Sequence, residues 1–307
     1  MSERSLAVTG LARRFQFVED LYDGDVIAIS CDGLVPGAAL DLTHWQGNRT
    51  PPQYKADTST EIALNFAGSP EAGEQWANAV VVNNHFDTDG ILSAWVLLDP
   101  EQAMAHGALL VAAAESGDFD EWPALDRGLW LDAAIRQLAS GAADDEAAYQ
   151  LVLPQLPELI HDLDQRRDLW GREWDDLQSA VAALESGGLR AERLHMLGVM
   201  IHAIGQPEVP GALLARRFLP AARRYLLAFA RGGGRYDYRY ERPHYAWADT
   251  VIRPVLPQPD AGALAKALGL EWTDEGLPGM TGIVRTSRPV AEQPDAMARR
   301  LLQFDVT

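Results

Sequence analysis

The stretch Ala79-Val80-Val81-Val82-Asn83-Asn84-His85-Phe86-Asp87-Thr88-Asp89-Gly90-Ile91-Leu92-Ser93-Ala94 joins a β-branched apolar run to a dense set of polar ligands. The valines predict a buried strand over 79–83. The apolar residues that follow Gly90 predict a helix over 91–98. His85, Asp87 and Asp89 alternate, so in an extended segment their side chains leave the same side of the backbone. Converging groups, two of them anionic, repel one another in a poorly solvated cleft unless a cation sits between them. A divalent metal is the reading this pattern favours. The competing reading is a turn in which an aspartate caps a helix. A calcium loop of the EF-hand type fails, because its bidentate acid would fall on Val96.

Working outward, residues 26–30 and 38–42 are further strand candidates, and 60–67 is a helix capped by Thr58 or Ser59. Asp99-Pro100-Glu101 opens a helix through 106, since proline suits the first turn. Residues 109–114 are apolar and read as strand or helix. This alternation predicts an α/β fold with a parallel sheet, whose ligands bind beyond the carboxyl ends of the strands. The expected organisation is an α/β domain over 1–122, a helical region over 123–230 and a small α+β region over 231–307.

Asn84 to Ala94, after its hydrophobic strand, resembles the first motif of the DHH phosphoesterases, His/Asp-x-Asp-x-Asp-Gly-x-x-Ser. The resemblance covers about a dozen residues. It implies that His85, Asp87 and Asp89 are manganese ligands at the carboxyl end of a parallel strand, with Asp87 and Asp89 in the catalytic centre. The Asp-His-His triplet that names that superfamily is absent from the sequence. Its nearest substitute is Asp41-Leu42-Thr43-His44, which precedes the first motif instead of following it. Asp41 and His44 are therefore either a displaced third motif, implying a rearranged strand order, or a chance similarity. The chain as a whole also resembles a family of bacterial proteins without an assigned activity.

Further ligand candidates are Asp118 and Asp120 in Glu115-Ser116-Gly117-Asp118-Phe119-Asp120, where a helix-capping turn competes with a metal role. His161 and Asp164 would share a helix face, as would His195 and His202 in an apolar helix, the latter pair reading best as core histidines. After Gly232-Gly233-Gly234, the alternation of Arg235-Tyr236-Asp237-Tyr238-Arg239-Tyr240 predicts a strand with tyrosines on one face. Residues 213–242 hold eight arginines against Asp237 and Glu241, a net charge of +6. Arg216/Arg217 and Arg223/Arg224 recur at a seven-residue spacing that would place them on one helix face. Arg216, Arg217, Arg235 and Arg239 are the candidates for holding substrate phosphate, with pairing to surface acids as the alternative.

The 307 residues carry a formal charge of −18, which disfavours long duplex DNA as a partner. It leaves room for a small phosphorylated molecule in a locally positive cleft. No apolar run suits a membrane span, and the N-terminus, with Arg4, Arg13 and Arg14, does not read as a secretory signal. The single cysteine, Cys31, excludes an intrachain disulfide and a cysteine-rich zinc site; a cytoplasmic location is expected. The expectation is a metal-dependent phosphoesterase using Mn²⁺ or Mg²⁺ on a small phosphorylated or nucleotide-like substrate. Imidazole beside carboxylate suits manganese better than magnesium. The alternatives are a non-catalytic binding or regulatory protein of the same fold, and a biosynthetic metalloenzyme of different chemistry.

Overall fold

A computed structural model describes residues 12–73, 75–275 and 282–305; the N-terminal stretch with Arg4 lies outside them. The fold is α/β, and the chain divides into two compact units. The first comprises residues 1–118, 123–172 and 248–253. The second comprises 119–122, 173–247 and 254–307.

The first unit is built on a four-stranded sheet of β1 (Arg14–Phe17), β2 (Ala28–Cys31), β3 (Leu40–Leu42) and β4 (Val80–Asn83). Their spatial order is β1-β4-β2-β3, and every pairing is parallel. Strands β2, β3 and β4 are buried throughout, as expected of a parallel sheet covered on both faces. Helices α1 (Ser59–Ala67), α2 (Thr88–Leu98), α3 (Pro100–Ala105) and α4 (Gly107–Phe119) follow the strands. Helices α5 (Asp126–Ala139), α6 (Asp145–Val152) and α7 (Leu156–His161) complete the unit. Thr58 caps α1 through the amide of Glu61, and Asp99 caps α3, which Pro100 opens. Residues 109–114 are helical.

Strand β1 escapes the sequence reading because it is short and its first residue is the second of two arginines. Arg13 is in fact buried: Nε donates to Trp76 O at 2.9 Å, one terminal nitrogen to Leu97 O at 2.9 Å and the other to Ala72 O at 2.6 Å. Leu97 lies in the last turn of α2, where carbonyls lack intrahelical donors, so the guanidinium closes that helix end. Burial pulls the Arg13 pKa down to about 10, still protonated at neutral pH.

The helix α8 (Arg167–Ser186) passes from the first unit into the second. The second unit is a six-stranded sheet of β5 (Leu189–Leu194), β6 (Leu197–His202), β7 (Arg224–Gly232), β8 (Arg235–Glu241), β9 (Trp272–Glu275) and β10 (Ile283–Thr286). Its order is β5-β6-β7-β8-β10-β9; only β6 and β7 run parallel, joined through α9 (Gly211–Phe218). Helices α10 (Ala261–Leu268) and α11 (Pro294–Asp305) contribute Leu264, Leu268, Met297 and Leu301 to a core with Leu226, Tyr238 and Tyr240. The expected tyrosine strand is thus present as β8.

Residues 189–202 and 224–230, expected to be helical, lie in the hairpin β5–β6 and in β7. Gly187, at φ +83°, breaks the preceding helix, and β5 and β6 satisfy each other's backbone as a hairpin. His195 turns that hairpin at φ +53°, while His202 lies buried in β6, so the two share no helix face. Likewise α9 stops at Phe218 before Pro220, and Arg224 opens β7, so the two arginine pairs are not aligned on one helix. Among the described residues no helix is long and apolar enough to cross a membrane.

Two substitutions test the framework of the first unit. Arg13→Met should lower unfolding stability by about 3 kcal/mol, because buried carbonyls lose a charged donor; denaturant titration reads this. At Gly90, an added Cβ would stand 2.7 Å from Asn83 Nδ2, 2.8 Å from the Tyr149 hydroxyl and 3.1 Å from Asp32 Oδ2. Gly90→Ala should therefore cost about 1–3 kcal/mol through overpacking; an unchanged denaturation midpoint would contradict so tight a contact between α2 and the strand ends.

Candidate metal centre

Three neighbouring strands deliver polar residues just beyond their carboxyl ends. β4 leads to His85 and Asp87, β2 to Asp32, and β3 to His44. Because β2 lies between β4 and β3, Asp32 stands between the two histidines. Asp32 is completely buried and adopts φ +60°, a region aspartate tolerates better than most residues. The sequence reading missed it because Asp32-Gly33 looks like an ordinary turn after a strand. The available signal was an acid directly after a buried strand, the same pattern that marked His85.

The side chains form two groups whose potential ligand atoms lie within 4.8 Å of one another. One is Asp32, His85 and Asp87; the other is Asp32, His44, Asp89 and Asp118. Asp32 belongs to both. Its Oδ2 is 2.8 Å from His85 Nε2 and its Oδ1 is 3.7 Å from His44 Nε2. Both oxygens are buried without a hydrogen bond of normal geometry. His85 Nε2 is also 3.2 Å from Asp87 Oδ2, and His44 Nε2 is 2.9 Å from Asp118 Oδ2 and 3.8 Å from Asp89 Oδ2.

Each histidine is held by its other nitrogen. His44 Nδ1 is 2.6 Å from the Asp57 carbonyl oxygen, so Nδ1–H donates and Nε2 is the atom that faces the cluster. His85 Nδ1 is 3.0 Å from Asn84 Oδ1, and the Asn84 amide nitrogen donates to Leu34 O at 3.3 Å. That second bond fixes the Asn84 oxygen as the acceptor for His85. Trp45, half-buried, stands with its ring 5.1 Å from the His85 ring.

The capping alternative is partly realised. Asp87 caps α2, its Oδ1 accepting from Gly90 N at 2.7 Å, while Oδ2 faces His85. Asp89 accepts from Thr60 N at 2.6 Å and from Ser59 N at 2.7 Å, at the start of α1. Each aspartate therefore joins a helix N-terminus to the cluster. A carboxylate oxygen has more than one lone pair, so an amide bond leaves ligand capacity.

The electrostatics call for positive charge. Like charges at this spacing repel by about 3–4 kcal/mol per pair at an effective dielectric of 20. Burial and then the charge of Asp32 raise Asp89 to about 7; burial and then the charge of Asp87 raise Asp118 well above the usual carboxylate range. Burial alone would lower the His44 pKa, but its bond to Asp118 and the charges of Asp118, Asp89 and Asp32 push it up to about 10. Burial likewise opposes protonation of His85, and Asp87 and Asp32 overcome it, to about 11. Burial would raise Asp32, yet His85 and His44 hold it below its ordinary value. A donor set of imidazole nitrogens and carboxylates, buried at Asp32, His44, Asp89 and Asp118 and crowded with negative charge, fits a divalent metal ion.

Of the residues expected at the site, His85, Asp87, Asp89, Asp118 and His44 come together. Asp41 does not: it accepts from Arg49 Nε and the Arg49 amide at 3.0 and 3.1 Å, because β3 turns its side chain away from His44. Asp118 occupies the last turn of α4, whereas Asp120 follows it at φ +51° and belongs to the second unit. There its carboxylate packs against Gly211 at the start of α9. His161 is exposed, and Asp164 pairs with Arg127 at 3.1 Å. His202 accepts from Val209 N at 3.2 Å and stacks on Phe229; burial lowers its pKa to about 4, that of a neutral structural histidine.

The four candidate phosphate-binding arginines lie in the second unit. Arg239 is paired with Glu241 and Glu208, which neutralise it. Arg235 donates to Pro289 O at 2.9 Å. Arg216 lies 4.0 Å over the Trp122 ring, next to the exposed Arg217.

A comparison with curated proteins returns no match. Among solved structures the chain is similar to a pGpG-specific phosphodiesterase, PggH, from Vibrio cholrae. The TM-score is 0.42 at 10% identity, covering 91% of this chain and 83% of that one. Residues 13–292 match the family described as "Family of unknown function (DUF6687)", and the chain belongs to that family.

Proposed function

We propose that this protein is a metal-dependent phosphoesterase that hydrolyses a small phosphorylated or nucleotide-like compound with two divalent cations. The observation that carries the reading is the sharing of Asp32 between two groups of ligands. His85 and Asp87 would hold one cation with Asp32; His44, Asp89 and Asp118 would hold the other. Cations held by these residues would supply a water of lowered pKa as nucleophile and would offset charge on the phosphoryl oxygens. The mixed imidazole and carboxylate set favours manganese over magnesium.

The remaining chemistry belongs to the chain. The Nδ1–H bonds of His44 and His85 fix both ring orientations before anything binds, which reduces reorganisation during reaction. The caps on α1 and α2 hold Asp89 and Asp87 against the ends of rigid elements. Trp45 gives the His85 side an aromatic wall suited to a base or sugar. The resemblance of residues 84–94 to the first DHH motif supports phosphoester chemistry, with His44 as the one part of the displaced motif that reaches the cluster.

The test is manganese titration by calorimetry together with a phosphoester panel of p-nitrophenyl phosphate, its bis ester and short dinucleotides. Two Mn²⁺ per chain are expected, with turnover that stops on chelation and returns on adding Mn²⁺. Asp32→Asn should abolish turnover and weaken both cations while the far-ultraviolet circular dichroism is kept. Asp41→Asn, which touches only the Arg49 pair, should leave turnover in place. A chain that takes up no manganese, or an Asp32→Asn variant that turns over normally, would overturn the proposal.

A further inference from the structure

Residues 248–253 belong to the first unit although the sequence on either side of them belongs to the second. This return segment is fastened to the elements that carry the second ligand group. Asp249 N donates to His44 O at 2.7 Å, and Asp249 Oδ2 accepts from Lys55 at 2.6 Å and Asn48 at 3.0 Å. The amides of Val251 and Ile252 both donate to Asp57 Oδ1. Arg253 spans two elements: one terminal nitrogen donates to Asp57 Oδ2 at 2.6 Å and the other to Glu115 Oε1 at 2.9 Å.

These contacts converge on two ligands. Asp57 is the residue whose carbonyl receives the His44 Nδ1 proton. Glu115 lies three residues before Asp118 on α4, on the same side of the helix. His44 and Asp118 face each other at 2.9 Å, so Arg253 braces both sides of that pair from behind. Asp57 is 3% exposed at its side chain and Arg253 17%, which shields the ion pair from solvent screening. Asp32, His85 and Asp87 receive none of these contacts from the return segment among the bonds described.

We propose that the return segment is a clamp for the second cation position alone, with Arg253 as its positioning residue. Arg253 acts through Asp57 on the His44 ring and through Glu115 on α4 and Asp118. The inference rests on the two-cation reading and adds an asymmetry to it: the two positions depend on different parts of the chain.

Manganese titration of the full chain, followed by electron paramagnetic resonance, separates the two positions. The wild type should bind two Mn²⁺ and show spin coupling between them. Arg253→Met should keep one ion at wild-type affinity, weaken the other about 10- to 100-fold and show an uncoupled six-line spectrum. Arg253→Lys, which restores the charge without the fork, should recover part of the second affinity. Should Arg253→Met fail to fold, Glu115→Gln, which leaves the Asp57 pair intact, should still weaken only the second ion. Wild-type binding of both ions in a folded variant, or equal weakening of both, overturns the clamp. Uptake of fewer than two ions by the wild type instead overturns the two-cation reading, so the two failures are told apart.

Discussion

Four carboxylates converge on two imidazoles in a largely buried space at the end of a parallel sheet, with only His85 and Asp87 partly exposed, and their mutual repulsion is the constraint the first unit is organised around. Such a cluster is costly unless positive charge neutralises it. The strand order determines how that charge can be arranged. With β2 between β4 and β3, its terminal aspartate reaches both histidines, and a single side chain links two ligand groups. Any order placing β2 at an edge would separate them.

The surrounding polar groups make the cluster rigid. Helix N-termini of α1 and α2 receive Asp89 and Asp87, so the same amides that need acceptors anchor the acids. The histidines are oriented by a main-chain carbonyl on one side and an asparagine oxygen on the other. Gly90 permits the close approach: its α-carbon faces Asn83, Tyr149 and Asp32 with no room for a side chain. Sequence, helix start and ligand geometry are one feature here.

The parts of this arrangement encoded locally were legible in the sequence. The valines before His85, the alternation of His85, Asp87 and Asp89, the Thr58 cap and the Pro100 helix start depend on neighbours a few residues away. Asp32 was not legible, because its role comes from lying beside β4, a pairing fifty residues away in sequence. Asp41 and His44 looked equivalent, and only the direction of β3 separates them. The strands at 189–202 carry leucine and methionine at spacings that suit either period, and Gly187 together with hairpin pairing decides for strand. The bonds from residues 248–253 to Asp57 join positions nearly two hundred residues apart, which no local pattern announces.

That last connection bears on the order in which the molecule can be completed. All six candidate ligand side chains lie between residues 32 and 118, so on a ribosome they emerge ahead of the return segment. The backing for His44 arrives only after a further hundred and thirty residues or so, once Asp249 to Arg253 have been added. The segment that backs the histidine opposite Asp118 is therefore made well after the acids it faces, and the two halves of the candidate centre depend on parts of the chain that appear at different times.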